Sequence, residues 1–259
     1  MRISKSELKY LRSLSQKKTR QTEKRFILEG WRALKEAVNS SVRIDLVGAL
    51  SRYLEDGDYA GILGEAKKRN VPIKELSETE LGQISETVHA QGVIAVVHQA
   101  NVTLSDRLIA NARTVVAADA VNDPGNLGSL IRTADWFGVD LLLLGKGCVE
   151  LYNDKVVRST VGSLFHVSAV EGVELPVALG DLKRQGFEIV ALSADGRSEY
   201  SQIRRDGKMV LVVGSEAHGV SKGVKSSADV IVRIPRFGRA ESLNVSVACG
   251  IVMAHVKMR

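Results

Sequence analysis

"TVVAADAVNDPGNLGSLIRTADWFG", residues 114–138, decides the fold. It opens as an apolar run, breaks at Asp123-Pro124-Gly125, and resumes with helical spacing. The break is turn chemistry, with proline fixing one backbone angle and glycine freeing the next. Beyond it, Leu127, Leu130, Ile131 and Ala134 recur at i, i+3, i+4 and i+7, the buried stripe of an amphipathic helix. A strand with no polar alternation, then a turn, then a helix, is the building unit of a parallel sheet covered on both faces. The stretches "DLLLLG" (140–145), "FEIVALSA" (187–194), "MVLVVGS" (209–215) and "VIVRIP" (230–235) repeat the strand character. "SLNVSVACGIVMAHV" (242–256) is apolar nearly all round and reads as a buried terminal helix. The expected fold class is α/β, with a parallel-sheet carboxyl-terminal domain.

Working back toward the amino terminus, the pattern changes. At roughly 150 residues per domain, 259 residues suggest two domains. "FILEG" (26–30), "VRIDLVGAL" (42–50), "VPIKELS" (71–77) and "GVIAVVHQA" (92–100) read as strands. "WRALKEAV" (31–38) and stretches near 58–69 and 78–85 read as helices. Leu8, Leu11 and Leu14, with cations between them, predict a basic amphipathic helix that is either a solvated face or a phosphate-contacting arm. "ANVTLSDRLIANAR" (100–113) is polar and weakly patterned. The expected division is therefore a smaller α/β domain over 1–98, a linker over 99–111, and a second domain over 112–259.

The formal charge of +6 favours an anionic partner, with nucleic acid the first choice. Two distant cysteines, Cys148 and Cys249, make neither a disulfide framework nor a zinc site and suit a reducing, cytoplasmic setting. No apolar run reaches the roughly 18 residues of a membrane span, and the first residues lack the apolar core of a signal peptide. No H-E-x-x-H or spaced Cys/His set occurs among the five histidines, so no bound metal is expected. "GSEAHGV" (214–220) has the glycine spacing of a phosphate loop, but Val220 stands where lysine belongs. No strand leads into G-x-G-x-x-G, so the dinucleotide fingerprint is missing.

Two residues of the opening stretch are not needed for its fold. Asn126 reads either as the helix N-cap or as a site residue. Arg132 points away from the apolar stripe and reads either as a surface cation or as a site residue. "DPGNLGSLIRTA" (123–134), "VVGSEAHGV" (212–220) and "IPRFGRAESLNVS" (234–246) each follow an expected strand and carry glycines beside polar residues. Ligands of open α/β sheets gather at the carboxyl ends of strands, so all three could line one site.

In that order and at those separations, the three segments resemble the motifs of the SpoU (TrmH) family, in the SPOUT class of RNA methyltransferases. The resemblance covers roughly 112–259. Residues 1–98, through "KRFILEGWRALKEAV", are similar to the family's smaller RNA-binding domain of ribosomal-protein-like fold. It implies a parallel sheet whose carboxyl end is threaded into a deep trefoil knot, S-adenosylmethionine as cofactor, methyl transfer to a ribose 2′-hydroxyl of RNA, and a homodimer. By motif position, Leu192, Ser193, Ala194, Gly214, Gly219, Ile234 and Leu243 are the implied cofactor contacts. Asn126, Arg132, Glu216, Ser242 and Asn244 are the implied polar set at the reacting centre. Where the family often has Met after Ile234-Pro235, this chain has Arg236-Phe237, a pair suited either to clamping RNA bases or to plain surface packing. In the smaller domain, Arg20, Lys24, Arg25 and Arg32 are the cations expected to meet RNA.

A guanidinium is permanently charged, so Arg132 is a poor proton acceptor. A fixed cation instead lowers the pKa of a nearby hydroxyl and holds a phosphate with a fork of donors. The proton then leaves to water, a substrate phosphate or Glu216. Ribosomal RNA is slightly favoured over transfer RNA as substrate. The alternative from another class is a non-catalytic RNA-binding or ribosome-assembly protein, which would require neither Asn126 nor Arg132 in this arrangement.

Overall fold

The computed structural model describes residues 1–85, 91–215 and 217–258. In chain order they form α1 (Lys5–Ser13), α2 (Lys17–Glu23), β1 (Arg25–Glu29), α3 (Trp31–Asn39), β2 (Ile44–Leu50), α4 (Ser51–Leu54), α5 (Gly57–Lys68), β3 (Ile73–Leu76), α6 (Glu78–Ile84) and β4 (Val93–His98). There follow α7 (Asp106–Asn111), β5 (Thr114–Asp119), α8 (Pro124–Trp136), β6 (Leu141–Gly145), α9 (Asp154–Thr160), β7 (Ser168–Val173), α10 (Leu175–Arg184) and β8 (Phe187–Leu192). The last elements are β9 (Ser198–Glu199), β10 (Lys208–Gly214), α11 (Lys222–Lys225), β11 (Val230–Arg233) and α12 (Val245–Lys257). Two compact units result, one of Met1–Asn101 with Tyr152–His166, the other of Val102–Leu151 with Val167–Arg259.

The first unit is built on a four-stranded sheet of order β1-β4-β2-β3. β4 runs antiparallel to both β1 and β2, and β3 is parallel to β2. α1 starts where Ser4 and Glu7 cap each other's backbone, satisfying N–H groups that the first turn cannot. Ser77 and Glu80 repeat the device on α6. Leu11 and Leu14 are buried with Ile3, Leu81 and Ile94, so the amphipathic reading of the amino terminus holds. The chain returns to this unit at 152–166, a stretch expected in the second domain. Tyr152 packs its ring 4.8 Å from that of Phe26, and its hydroxyl accepts the Ala100 N–H at 2.8 Å. The stretch expected as a linker carries α7, which joins the core of the second unit through Ile109.

The second unit is a seven-stranded, wholly parallel sheet of order β7-β6-β5-β10-β8-β11-β9. Its central strands are the uninterrupted apolar runs of the sequence, and every residue of β5 and β6 is buried. Leu141, Leu143, Ile189, Val210 and Val212 meet Leu179 and Leu182 of α10 and Val224 of α11. α8 buries Leu127, Leu130, Ile131 and Ala134, the stripe read from the sequence, and packs against α12. β7 and β9 were not expected. Gly214 of β10 stands beside Asp119 of β5, and from that pair the strand order runs outward in both directions. Such a point is where doubly wound sheets bind ligands.

Candidate active site

At the carboxyl ends of β8, β10 and β11 lies a cleft of about 940 Å³, within the size range of cofactor sites. Leu192, Ser193 and Ala194 line it from the end of β8, and Gly214 and Gly219 from the loop after β10. Ile234 and Leu243 line it from the loop between β11 and α12. Every residue expected to contact the cofactor thus faces one cavity, and Ser242 joins them. The second and third sequence segments meet here as anticipated, although their strands, β10 and β11, are separated in the sheet by β8.

Backbone supplies much of the wall. A Cβ placed on Gly214 would stand 2.0 Å from the Gly219 carbonyl carbon and 2.2 Å from the Val220 nitrogen. The chain after β10 therefore doubles back onto Gly214, and only a residue without a side chain permits that approach. The turn is closed by Gly219 N–H donating to the Ser215 carbonyl at 2.8 Å. One polar pair lines the cleft that sequence spacing did not reveal: Lys225 Nζ donates to both oxygens of Asp195, at 3.0 and 3.1 Å. The Ser193 hydroxyl, first, and Lys225, second, hold the Asp195 carboxyl below the usual carboxylate range.

The first segment contributes differently. Asp123, not Asn126, is the N-cap of α8, its Oδ1 accepting the Asn126 N–H at 2.8 Å. Pro124 takes the first helical position, where its missing N–H costs nothing, and this moves the cap back to the residue before it. Asn126 is thereby released for another contact: its Oδ1 accepts from Asn244 Nδ2 at 2.6 Å. Asn244 is the N-cap of α12, which starts at Val245, three residues later than the apolar run suggested. Its Oδ1 accepts the N–H groups of Ser246 and Val247 at 2.9 and 3.3 Å. Ser242 is exposed and makes no capping bond among the described residues, the cap of α12 being Asn244. Arg132 is exposed on α8, lies outside the lining of the cleft, and makes no hydrogen bond or ion pair among the described residues. Glu216 lies outside the described residues.

The expected RNA contacts divide. Arg236 and Phe237 line the cleft mouth, and the Phe237 side chain is 98% exposed. Lys24 and Arg32 are exposed on the first unit. Arg25 is half-buried and donates to Asp45. Arg20 does not fit the expectation: it is 3% exposed, with its guanidinium on the carbonyls of Leu14 and Ser15. A periodic basic helix does not reveal which of its cations turns inward to tie off the end of the preceding helix. Among the described residues no group of three or more His, Cys, Asp or Glu side chains is placed to hold a metal, and no helix is long and apolar enough to cross a membrane. Burial pushes the partly buried Cys148 thiol up to about 11 and the core Cys249 thiol up to about 12, which keeps both as unreactive thiols.

Comparison with known proteins gives the site its context. Residues 113–254 match the SpoU rRNA Methylase family, and residues 5–95 match the MRM3-like substrate binding domain. The 23S rRNA (guanosine(2553)-2′-O)-methyltransferase RlmP of Bacillus subtilis is 33% identical over 253 residues, covering 97% of this chain and 96% of that enzyme. The crystal structure of an AdoMet-bound rRNA methyltransferase from Sinorhizobium meliloti superposes with a TM-score of 0.84 at 27% identity, over 97% of this chain and 94% of that one. An RNA 2′-O ribose methyltransferase superposes with a TM-score of 0.85 at 25% identity, over 99% of this chain and 98% of that one.

Proposed function

The chain belongs to the SpoU rRNA Methylase family, and from that premise we propose that it methylates a ribose 2′-hydroxyl of ribosomal RNA with S-adenosylmethionine. The observation that carries the proposal is the single cleft formed by loops from distant parts of the sequence, two of them on the motifs that mark the family. When bound, S-adenosylmethionine supplies a methyl group activated by a sulfonium. The residues present fit such a ligand: Leu192, Ile234 and Leu243 offer apolar surface to an adenosine moiety, and Gly214 and Gly219 let backbone approach it closely. The carboxyl end of the chain, from β10 through α12, takes the form of a trefoil knot in this reading.

The protein's own groups prepare the nucleophile. A ribose hydroxyl is a weak acid and must be aligned with the methyl carbon. Alignment alone can remove up to roughly 7–11 kcal/mol of the barrier in favourable cases. Arg132, permanently charged, holds the adjoining phosphate and acidifies the hydroxyl, while Asn126, Ser242 and Asn244 orient the ribose. The proton leaves to water, a substrate phosphate or Glu216. Arg236 and Phe237 at the cleft mouth, and Lys24 and Arg32 on the ribosomal-protein-like first unit, contact the RNA.

The enzyme acts as a cytoplasmic homodimer through the second unit, with the active site completed at the subunit interface. Trp136 at the end of α8 is 82% exposed, and Val247 on α12 is 52% exposed, although α8 and α12 pack together. Exposed apolar side chains on paired helices suit a self-complementary contact.

The test is a ribose-methylation map of ribosomal RNA from cells with and without the gene. One 2′-O-methyl group should vanish on deletion and return with the wild-type chain but not with Arg132→Ala. An unchanged map, with no thermal stabilisation of the purified chain by S-adenosylmethionine, would favour the non-catalytic RNA-binding reading.

A further inference from the structure

Asp119 belongs to none of the residues discussed for catalysis or cofactor contact. It is the last residue of β5, only 8% exposed, and no cation pairs with it among the described residues. Carboxylates are rarely buried without a counter-ion, because desolvation opposes the charge. What Asp119 has is a backbone donor: its Oδ2 accepts the Ser221 N–H at 2.7 Å, across 102 positions of sequence. Such charge-assisted bonds are the stronger class of protein hydrogen bond.

The placement of that bond gives it meaning. In the sheet, Asp119 is the register partner of Gly214, where the chain leaves β10 for the cleft loop. Ser221 is where the chain leaves that loop, as the N-cap residue of α11. Both ends of the loop are thus referred to one residue, by strand pairing at Gly214 and by a side-chain bond at Ser221. Between them stand Ser215, His218 and Gly219, all lining the cleft, and beyond Ser221 comes Lys225, the partner of Asp195. We propose that Asp119 is a positioning residue that holds Ser215, His218 and Gly219 in their cofactor-binding arrangement, acting through the Ser221 N–H and touching neither cofactor nor RNA. The inference rests on the reading of the cleft as the S-adenosylmethionine site.

Isothermal titration of S-adenosylmethionine into the full chain separates the two. Wild type must bind; if it does not, the reading of the cleft fails before the role of Asp119 is reached. Given wild-type binding, Asp119→Ala should weaken the cofactor roughly tenfold, the scale of one lost hydrogen bond to a charged group. Asp119→Asn keeps an oxygen acceptor and should stay within about threefold of wild type. Ser221→Pro is the second probe, since the Ser221 side chain makes no capping bond and its φ of −63° already suits proline. It removes the N–H that Asp119 accepts and leaves the Asp119 side chain in place, and cofactor affinity should fall at least as far as in Asp119→Ala even if the latter folds poorly. In steady state, KM for the cofactor should rise while kcat at saturating cofactor and KM for RNA hold. Amide exchange should quicken in peptides covering 217–221 while β10 stays protected. A lowered melting temperature with unchanged cofactor affinity in both Asp119→Ala and Ser221→Pro would overturn the proposal, as would loss of binding in Asp119→Asn equal to that in Asp119→Ala.

Discussion

The side-chain amides of Asn126 and Asn244, 118 positions apart, meet at 2.6 Å. The bond joins the first turn of α8 to the first residue before α12, so the first and third family motifs are tied side chain to side chain. Asn244 uses its two polar atoms separately. Its carbonyl oxygen caps its own helix, and its amide nitrogen fixes the carbonyl of Asn126.

That division can be tested with two substitutions. Asn244→Ala removes cap and bridge together and should cost about 1–2 kcal/mol of stability, read as a lowered melting temperature. Asn244→Asp keeps an oxygen for the α12 N–H groups, and a carboxylate is favourable at a helix N-terminus. Its stability should stay within about 0.5 kcal/mol of wild type. With no donor facing it, the Asn126 carbonyl must turn away, so methyl transfer should fall sharply in both variants. Full activity in a stable Asn244→Asp would mean that the bridge serves folding only.

Gly214 and Gly223 lie nine positions apart and make opposite predictions. Alanine at 214 would drive a methyl group into the backbone of Gly219 and Val220, so the cleft loop must open. Cofactor affinity should fall by more than roughly tenfold. A Cβ at Gly223 meets nothing within 4 Å, and the position is helical. Gly223→Ala should bind the cofactor normally and gain up to about 1 kcal/mol in thermal unfolding. Equal affinities for the two variants would remove the loop from the cofactor site.

These contrasts show what was legible in the sequence. Val115 to Ala118 and Leu141 to Leu144 announced themselves because strands covered on both faces leave no polar alternation. β7 did not, since its residues alternate between buried and exposed only irregularly, as expected at a sheet edge. The cap of α8 is readable in principle: Asp directly before Pro is a stronger start signal than the later Asn126. The residues that line the cleft on the second and third segments were legible through their motifs, whereas Asp195 with Lys225 and Asp119 with Ser221 depend on the strand order, which no local pattern encodes. The return of 152–166 to the first unit rests on contacts such as that of Tyr152 with Phe26, equally invisible along the chain.

Acid should expose the amino-terminal helix first through Glu7. Lys74, then the Ser4 backbone N–H, hold its carboxyl down at about 2, against 4.5 for a free side chain. A depressed pKa means the charged form is the one that stabilises the fold. The contribution is whole above pH 4.5 and fades as pH falls from there toward 2. Glu7→Gln should therefore be less stable than wild type at neutral pH, and the gap should close across that window in urea titrations. A gap independent of pH would assign the effect to the capping geometry of Ser4 and not to charge.

Trp136 tests the assembly. Its side chain is 82% exposed, so Trp136→Arg should leave the folded subunit within about 0.5 kcal/mol of wild type. In light scattering the wild type should weigh twice its chain mass and Trp136→Arg should weigh one. Methyl transfer should fall with the dimer, because Arg132 lies outside the cleft lining of its own chain. An active monomer would place the complete site within one subunit.

Arg132 carries the mechanistic question. It stands on the exposed side of α8, without a hydrogen bond or ion pair among the described residues, free to meet a substrate phosphate. Its substitution should therefore leave S-adenosylmethionine affinity unchanged and act on turnover alone. Arg132→Ala should lose roughly 10²–10³-fold in kcat, the scale of removing one oriented donor to developing charge. Arg132→Lys keeps the charge but not the fork, so it should retain part of the rate. If the guanidinium acidifies the hydroxyl, the rate should climb with pH, and Arg132→Ala should move that climb to higher pH. A proton-accepting Arg132 predicts the opposite: a lysine, with its lower pKa, would keep nearly full activity and shift the acid limb to lower pH. The pH profiles of these two variants, measured at saturating cofactor, decide between them.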